Sequence, residues 1–180
     1  CVPDAGPMLG FEMPEDLQYR RFQRRVMLHP TSYNVKKNWP WQKFLGLARC
    51  LRESGYEPEF VLSPKERTQW ASYFQDEFPV PHLADTKALA VYLYESGFVV
   101  GNDSGVGHLA SALGIPVLTL YRKRRDGFCW RPGWGENEVV RPWLSLGAVR
   151  KAWTYCLSVA RAKRAFDRLV SRHEVARVKP

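Results

Sequence analysis

The residues of this chain best suited to chemistry lie in two polar turns, each leaving a short apolar run. In the first, His29-Pro30-Thr31-Ser32 leads through Lys36-Lys37 to Trp39-Pro40. In the second, Phe98-Val99-Val100 runs into Gly101-Asn102-Asp103-Ser104-Gly105-Val106-Gly107-His108. Hydroxyls, lysines and glycine-exposed amides are groups that hold phosphate. The glycines follow a strand-like run and precede the helical stripe Leu109, Ala110, Ala112 and Leu113, so they sit at a helix N-terminus. Such an end leaves N–H groups unpaired and carries partial positive charge. Asp103 or Ser104 can cap it from within the chain. Alternatively, Gly105 and Gly107 let a phosphate approach the bare backbone. Without a ligand the same glycines simply make a tight connection. The pattern is not G-x-G-x-x-G, so spacing alone does not decide.

The elements that must position these turns alternate regularly. Arg24 to His29 is read as the first strand, and Trp41, Phe44, Leu45, Ala48 and Leu51 as a helix stripe ended by Gly55. Phe60-Val61-Leu62 is the second strand. Ser63-Pro64-Lys65-Glu66 has the form of a capping box, with proline at the first helical position. Val80 to Leu83 is a short strand or extended segment, and Asp85 caps a helix carrying Leu89, Tyr92 and Leu93. After Phe98 to Val100, Gly114 and Pro116 stop the next helix before the strand Val117 to Tyr121. Val139 and Val140 make a last short strand, and Leu146 to about Val170 a long helix or a pair. This β–α alternation with uniformly apolar strands predicts a parallel, doubly wound sheet covered on both faces.

The chain has 180 residues, 45% of them hydrophobic, enough for one domain with a real core. No apolar run approaches a bilayer span, and Cys1-Val2-Pro3-Asp4 does not resemble a signal peptide. Cys1, Cys50, Cys129 and Cys156 are scattered without a C-x-x-C pair, so neither zinc nor a redox motif is indicated. The net charge is +9. From Arg150 onward, nine Arg or Lys face only Asp167 and Glu174. That basic stretch suits an anionic partner or is a solvated helix face. Arg122-Lys123-Arg124-Arg125 precedes Phe128, Trp130 and Trp134. Such a loop can meet sugars or nucleic acid, or its aromatics can cover the sheet edge.

The second turn and its helix, Asn102-Asp103-Ser104-Gly105-Val106-Gly107-His108-Leu109-Ala110-Ser111-Ala112-Leu113-Gly114-Ile115-Pro116-Val117, resemble the signature of glycosyltransferase family 9, the ADP-heptose:lipopolysaccharide heptosyltransferases. The first turn is similar to that family's H-[PA]-[TGA]-[ST]…K-x-W-P turn. The resemblance covers roughly residues 24–145. It implies a Rossmann-like α/β domain, the C-terminal half of a GT-B fold, with residues 1–23 an arm or linker and 146–180 a basic helical tail.

By that resemblance Thr31, Ser32, Asp103, Ser104, Gly105, Val106, Gly107 and His108 bind the phosphates of a nucleotide-sugar donor, ADP-heptose. Glu66 matches a glutamate that contacts the nucleoside, although its capping box also gives it a structural job. One of Lys36 and Lys37 would stabilise the departing diphosphate. Counting from His29 favours Lys36, and counting back from Trp39 favours Lys37. His108 shares a helix face with Ser104, and a structural histidine is the other reading. No metal or cofactor is implied. The reaction implied is inverting transfer to a lipopolysaccharide core or other glycan acceptor. The setting implied is cytoplasmic, with the basic tail able to meet the inner membrane. The acceptor-binding domain and its general base have no candidate in this sequence. A non-catalytic nucleotide or nucleotide-sugar binding module is therefore the alternative. A nucleic-acid binder is the third reading, without a helix-turn-helix, RRM or zinc pattern to support it.

Overall fold

The computed structural model describes residues 16–122, 135–143 and 152–178. Five parallel strands form one sheet: β1 Phe22–His29, β2 Glu57–Phe60, β3 Ser96–Asn102, β4 Val117–Leu120 and β5 Asn137–Val140. Their order is β2-β1-β3-β4-β5. The chain thus builds outward from β1 to β2, returns to β3 on the other side of β1, and continues away. The β1–β3 boundary is the switch point at which ligands bind in open parallel sheets.

Alternate residues of the central strands enter two cores. Val26, Leu28, Phe98, Val100, Leu118 and Leu120 face one side. There they meet helix α1 (Trp41–Glu53) and the C-terminal helix α6 (Val159–Val178), through Phe44, Leu47, Leu51, Phe166 and Leu169. Met27, Val99 and Val117 face the other side. They pack on α3 (Thr86–Tyr94) and α4 (Gly105–Ala112), through Ala90, Leu93, Ala110 and Leu113. Helices on both faces explain why β3 is buried along its whole length.

Two local readings shift. The second strand is Glu57–Phe60, and Val61 and Leu62 lie just beyond it, both buried. β2 is an edge strand, so its Pro58 and its two glutamates are tolerated there and hide it from an apolar-run search. Val80 to Leu83 belongs to no strand. Pro79 and Pro81 lack the N–H groups that a ladder needs.

The basic segment after residue 150 is a helix pair, α5 (Ala152–Cys156) and α6. Ala162, Ala165, Phe166 and Leu169 of α6 are fully buried, so it is one of the layers that cover the sheet. The loop from Lys123 to Trp134, with its interleaved arginines and aromatics, lies outside the described residues.

Candidate functional site

Each of the two polar turns follows a strand at the switch point. β1 and β3 are paired in register, Leu28 with Val100 and His29 with Gly101. A Cβ on Gly101 would lie 3.1 Å from the His29 carbonyl oxygen, tighter than ordinary contact. The glycine therefore permits the two strand ends to approach.

Asn102 then ties the turns together. It ends β3 and is 1% exposed. Its Oδ1 accepts the Trp39 backbone N–H at 3.0 Å, and its Nδ2 donates to the Pro30 carbonyl at 2.7 Å. One side chain thus holds both ends of the segment 30–39. Within that segment the Ser32 hydroxyl meets Asn38 Oδ1 at 2.6 Å, and Asn34 Oδ1 accepts the Lys36 N–H at 3.1 Å. The short 3-10 turn Val35–Lys37 directs Lys37 back across the switch point. Its Nζ lies 2.6 Å from Asp103 Oδ2. Lys36 is exposed.

Beside these turns a cleft of about 540 Å³ opens. Three helices point their N-termini at it, and their caps differ. At α2 (Pro64–Trp70), Ser63 and Glu66 form a complete capping box. At α3, Asp85 accepts the Ala88 N–H at 2.8 Å. At α4, Ser104 holds the N-cap position yet makes no cap hydrogen bond, and its buried Oγ has no partner among the described residues. Open space surrounds the position a Cβ on Gly105 would take. Two of the three positive helix ends are capped by a side chain, and the glycine-rich one is not. An anion is favoured there by unpaired N–H groups and by the helix dipole.

The remaining wall is apolar, with Val61, Leu62, Leu83, Leu89, Val106 and Leu109. This suits a flat ring system better than a charge. Glu66 also lines the cleft. Burial alone would push its carboxyl up. The Ser63 and Thr31 hydroxyls, the Ser63 N–H and His29 outweigh this and hold it below the usual range. His29 is buried, which lowers its imidazole despite the Val61 carbonyl and the Glu66 charge. Its Nδ1 lies 2.9 Å from the Val61 carbonyl oxygen, so Nδ1–H donates there.

Of the residues singled out in the sequence, Ser32, Glu66, Ser104, Gly105 and Val106 line this cleft. Lys37 and Asp103 pair beside it. Thr31 is 2% exposed and lies behind Glu66 and His29. Gly107 packs toward Val117, and His108 is half-buried outside the cleft lining. Sequence reasoning missed Asn102 as the clamp, His29 as a buried base and the apolar wall from α3. An asparagine ending an apolar strand run was the available signal for the first.

Known proteins share this fold. The profile of glycosyltransferase family 9 (heptosyltransferase) matches residues 11–145. Lipopolysaccharide heptosyltransferase 1 of Pseudomonas aeruginosa is 28% identical over 134 residues, covering 72% of this chain and 37% of that protein. Lipopolysaccharide heptosyltransferase 3 of Escherichia coli K12 is 26% identical over 125 residues, 66% of this chain and 36% of that protein. The solved structure of E. coli ADP-heptose lps heptosyltransferase II superimposes with a TM-score of 0.70 at 21% identity, covering 88% of this chain and 49% of that one. E. coli heptosyltransferase WaaC with ADP gives 0.69 at 21% identity, covering 89% and 52%. The chain spans little more than a third of these curated relatives and about half of the solved chains. Its profile match, with the two turns and the parallel sheet that carries them, makes it a member of glycosyltransferase family 9 (heptosyltransferase).

Proposed function

We propose that this chain is the donor-binding half of a GT-B glycosyltransferase that takes a nucleoside-diphosphate sugar, by family ADP-heptose. The observation that carries this reading is the unequal capping of the three helix ends. It leaves one positive terminus, at Ser104 and Gly105, open beside an apolar slot. The diphosphate takes the α4 end and the nucleoside lies along Leu83, Leu89 and Leu109, with its sugar hydroxyls toward Glu66. Relatives solved with ADP and with ADP-2-deoxy-2-fluoro heptose support the same ligand class.

In the proposed reaction an acceptor hydroxyl of a lipopolysaccharide core sugar attacks the anomeric carbon from the face opposite the diphosphate. The bond to the diphosphate breaks, and its electron pair leaves with the ADP oxygen. Lys37, released from Asp103, and the α4 amides offset the added charge. The reading calls on no resident metal or cofactor. The acceptor proton goes to a base outside the described residues. The basic face of α6, with Arg161, Arg164 and Arg168, is proposed to meet anionic lipid at the cytoplasmic side of the inner membrane. No helix among the described residues is long and apolar enough to cross a membrane.

One observation favours a binding module without catalysis: the two carboxylates that line the cleft, Glu66 and Asp85, are both engaged as helix caps. Two measurements separate the readings. Saturable ADP binding supports both, and its absence overturns both. ADP release from ADP-heptose with a truncated core acceptor supports the transferase. ADP binding with no such release, even when an acceptor-binding half from a family member is supplied, supports the module.

A further inference from the structure

We propose that a second pocket, at the C-terminal end of β5, binds a phosphomonoester dianion through Arg141 and Arg161. The pocket is separate from the donor cleft. It lies on the α6 face read above as meeting anionic lipid, and only a lipid source for its ligand rests on that reading.

β5 is an edge strand that ends at Val140. The chain leaves it through Arg141-Pro142-Trp143, and α6 packs alongside. Between them lies a pocket of about 370 Å³ with Arg141, Trp143, Arg161 and Arg168 in its wall. It shares no lining residue with the cleft at β1 and β3. Two strand spacings, about 10 Å, separate the ends of β3 and β5.

Charge in this pocket is one-sided. The neighbouring carboxylate, Glu138, is held by Arg168 at 2.9 Å and by Arg172, and it is not part of the wall. Neither Arg141 nor Arg161 has a carboxylate partner among the described residues. Arg161 donates its Nε–H to the Arg141 carbonyl at 2.9 Å. That bond fixes the base of its guanidinium, and the terminal amino groups have no partner among the described residues. Arg141 Nε is buried, also without a hydrogen-bond partner there. A donor shut off from bulk water calls for an acceptor. Two like charges on one small pocket repel, and an anion bridging them reverses the sign.

The groups also select the anion. A guanidinium fork meets phosphate oxygens in pairs, so two forks suit three terminal oxygens and a double charge better than a diester. Trp143 is 65% exposed, and its backbone N–H meets the Cys156 carbonyl at 3.4 Å, which ties it to α5. Its ring offers a flat apolar face to the carbon stem of the ester. The ligand class is a phosphomonoester on a short carbon stem, soluble or carried as a lipid headgroup.

The test is calorimetric titration of the chain with glycerol 3-phosphate, with dimethyl phosphate as the singly charged diester. Glycerol 3-phosphate is expected to saturate, at least about tenfold tighter than the diester. Arg141→Gln and Arg161→Gln each weaken it at least about tenfold, and Arg161→Lys, which keeps the charge and loses the fork, weakens it as well. Arg21→Gln removes the same charge just before β1, at the other end of the sheet, and changes it less than about twofold. Arg161 is exposed, and Arg141 serves the fold through its carbonyl, so urea midpoints of these variants stay near the parent's. No saturable binding, equal binding of the two esters, or equal losses in all the arginine variants overturns the pocket. ADP affinity stays unchanged in Arg141→Gln and Arg161→Gln, and a matching loss would overturn its separation from the cleft. Absence of ADP binding in the parent overturns the donor reading alone. Sedimentation with phosphatidylcholine vesicles identifies the source. Capture by vesicles carrying phosphatidic acid, above that by phosphatidylglycerol at equal surface charge and lost in Arg141→Gln, assigns the headgroup. Binding of glycerol 3-phosphate without vesicle capture supports a soluble ligand and overturns the lipid reading of α6. Equal capture by both vesicles, with no binding of the soluble ester, overturns the pocket and leaves the lipid contact.

Discussion

Lys37 and Asp103, 66 residues apart in the chain, meet at 2.6 Å across the switch point. Their side chains are 41% and 15% exposed, so the pair is screened and adds about 0–1 kcal/mol of stability at most. Its meaning is positional. The carboxylate parks an ammonium beside the one open helix end, where a diphosphate can draw it away. Lys37→Ala should therefore weaken ADP binding about tenfold, while Lys36→Ala, removing an exposed lysine, changes it less than about twofold. Calorimetric titration of the two variants decides, and equal losses would show that the 3-10 turn does not select between the lysines.

The caps make a second contrast. Asp85 bonds the Ala88 N–H, so Asp85→Ala should cost about 1 kcal/mol of folding stability. Ser104 makes no such bond, so Ser104→Ala should cost much less in urea unfolding. The effect of Gly105→Val runs the other way. The side chain enters open space, and the fold tolerates it, but it covers the amides of α4. ADP binding should fall at least about tenfold with the unfolding midpoint nearly kept.

The two turns and the alternation of elements were legible because they are local. The Ser63–Glu66 capping box, and Gly114 at φ +75° after α4, follow from short-range rules. There the Ile115 N–H bonds the Ala110 carbonyl and the Gly114 N–H the Ser111 carbonyl, the paired bonds of a glycine-ended helix. What stayed hidden depends on distant partners. Which lysine turns inward is set by Asn102 clamping Pro30 and Trp39, 72 and 63 residues away. That Ser104 is an unbonded cap, while Ser63 and Asp85 are bonded ones, is likewise invisible in residue type. The edge position of β2 was missed because its polar residues suit an edge and mimic a loop.

Asn102 gives a third prediction. Asn102→Leu leaves the Trp39 N–H and the Pro30 carbonyl without their partner, both in a buried setting. Each orphaned group costs about 1–3 kcal/mol, so the variant should lose about 2–6 kcal/mol in urea denaturation. Asn102→Asp keeps an acceptor for Trp39 but buries a carboxylate against the Pro30 carbonyl oxygen, so its loss at neutral pH should be at least as large. If both variants unfold like the parent, the clamp is not what holds the segment 30–39.

Acid stability follows from His29 and Glu66 together. Burial lowers the folded pKa of His29 below 6.5, so the unfolded chain binds more protons as the pH falls past that value. Stability must then decline on acidification, starting near pH 6.5 and flattening once the folded ring also protonates. Glu66 is held below 4.5 in the fold, by its hydroxyl and N–H partners against burial, and it adds stability that is lost as the pH drops below 4.5. Both slopes have the same sign and occupy successive windows. His29→Gln should remove the upper slope and leave the lower one. Glu66→Gln should shrink the lower slope, to which Glu77 with its Arg49 and Arg52 partners also contributes, and keep the upper one. Urea midpoints measured from about pH 7.5 down to about pH 3.5 trace both windows, and a parent curve flat across the upper one would mean that the fold does not hold His29 neutral.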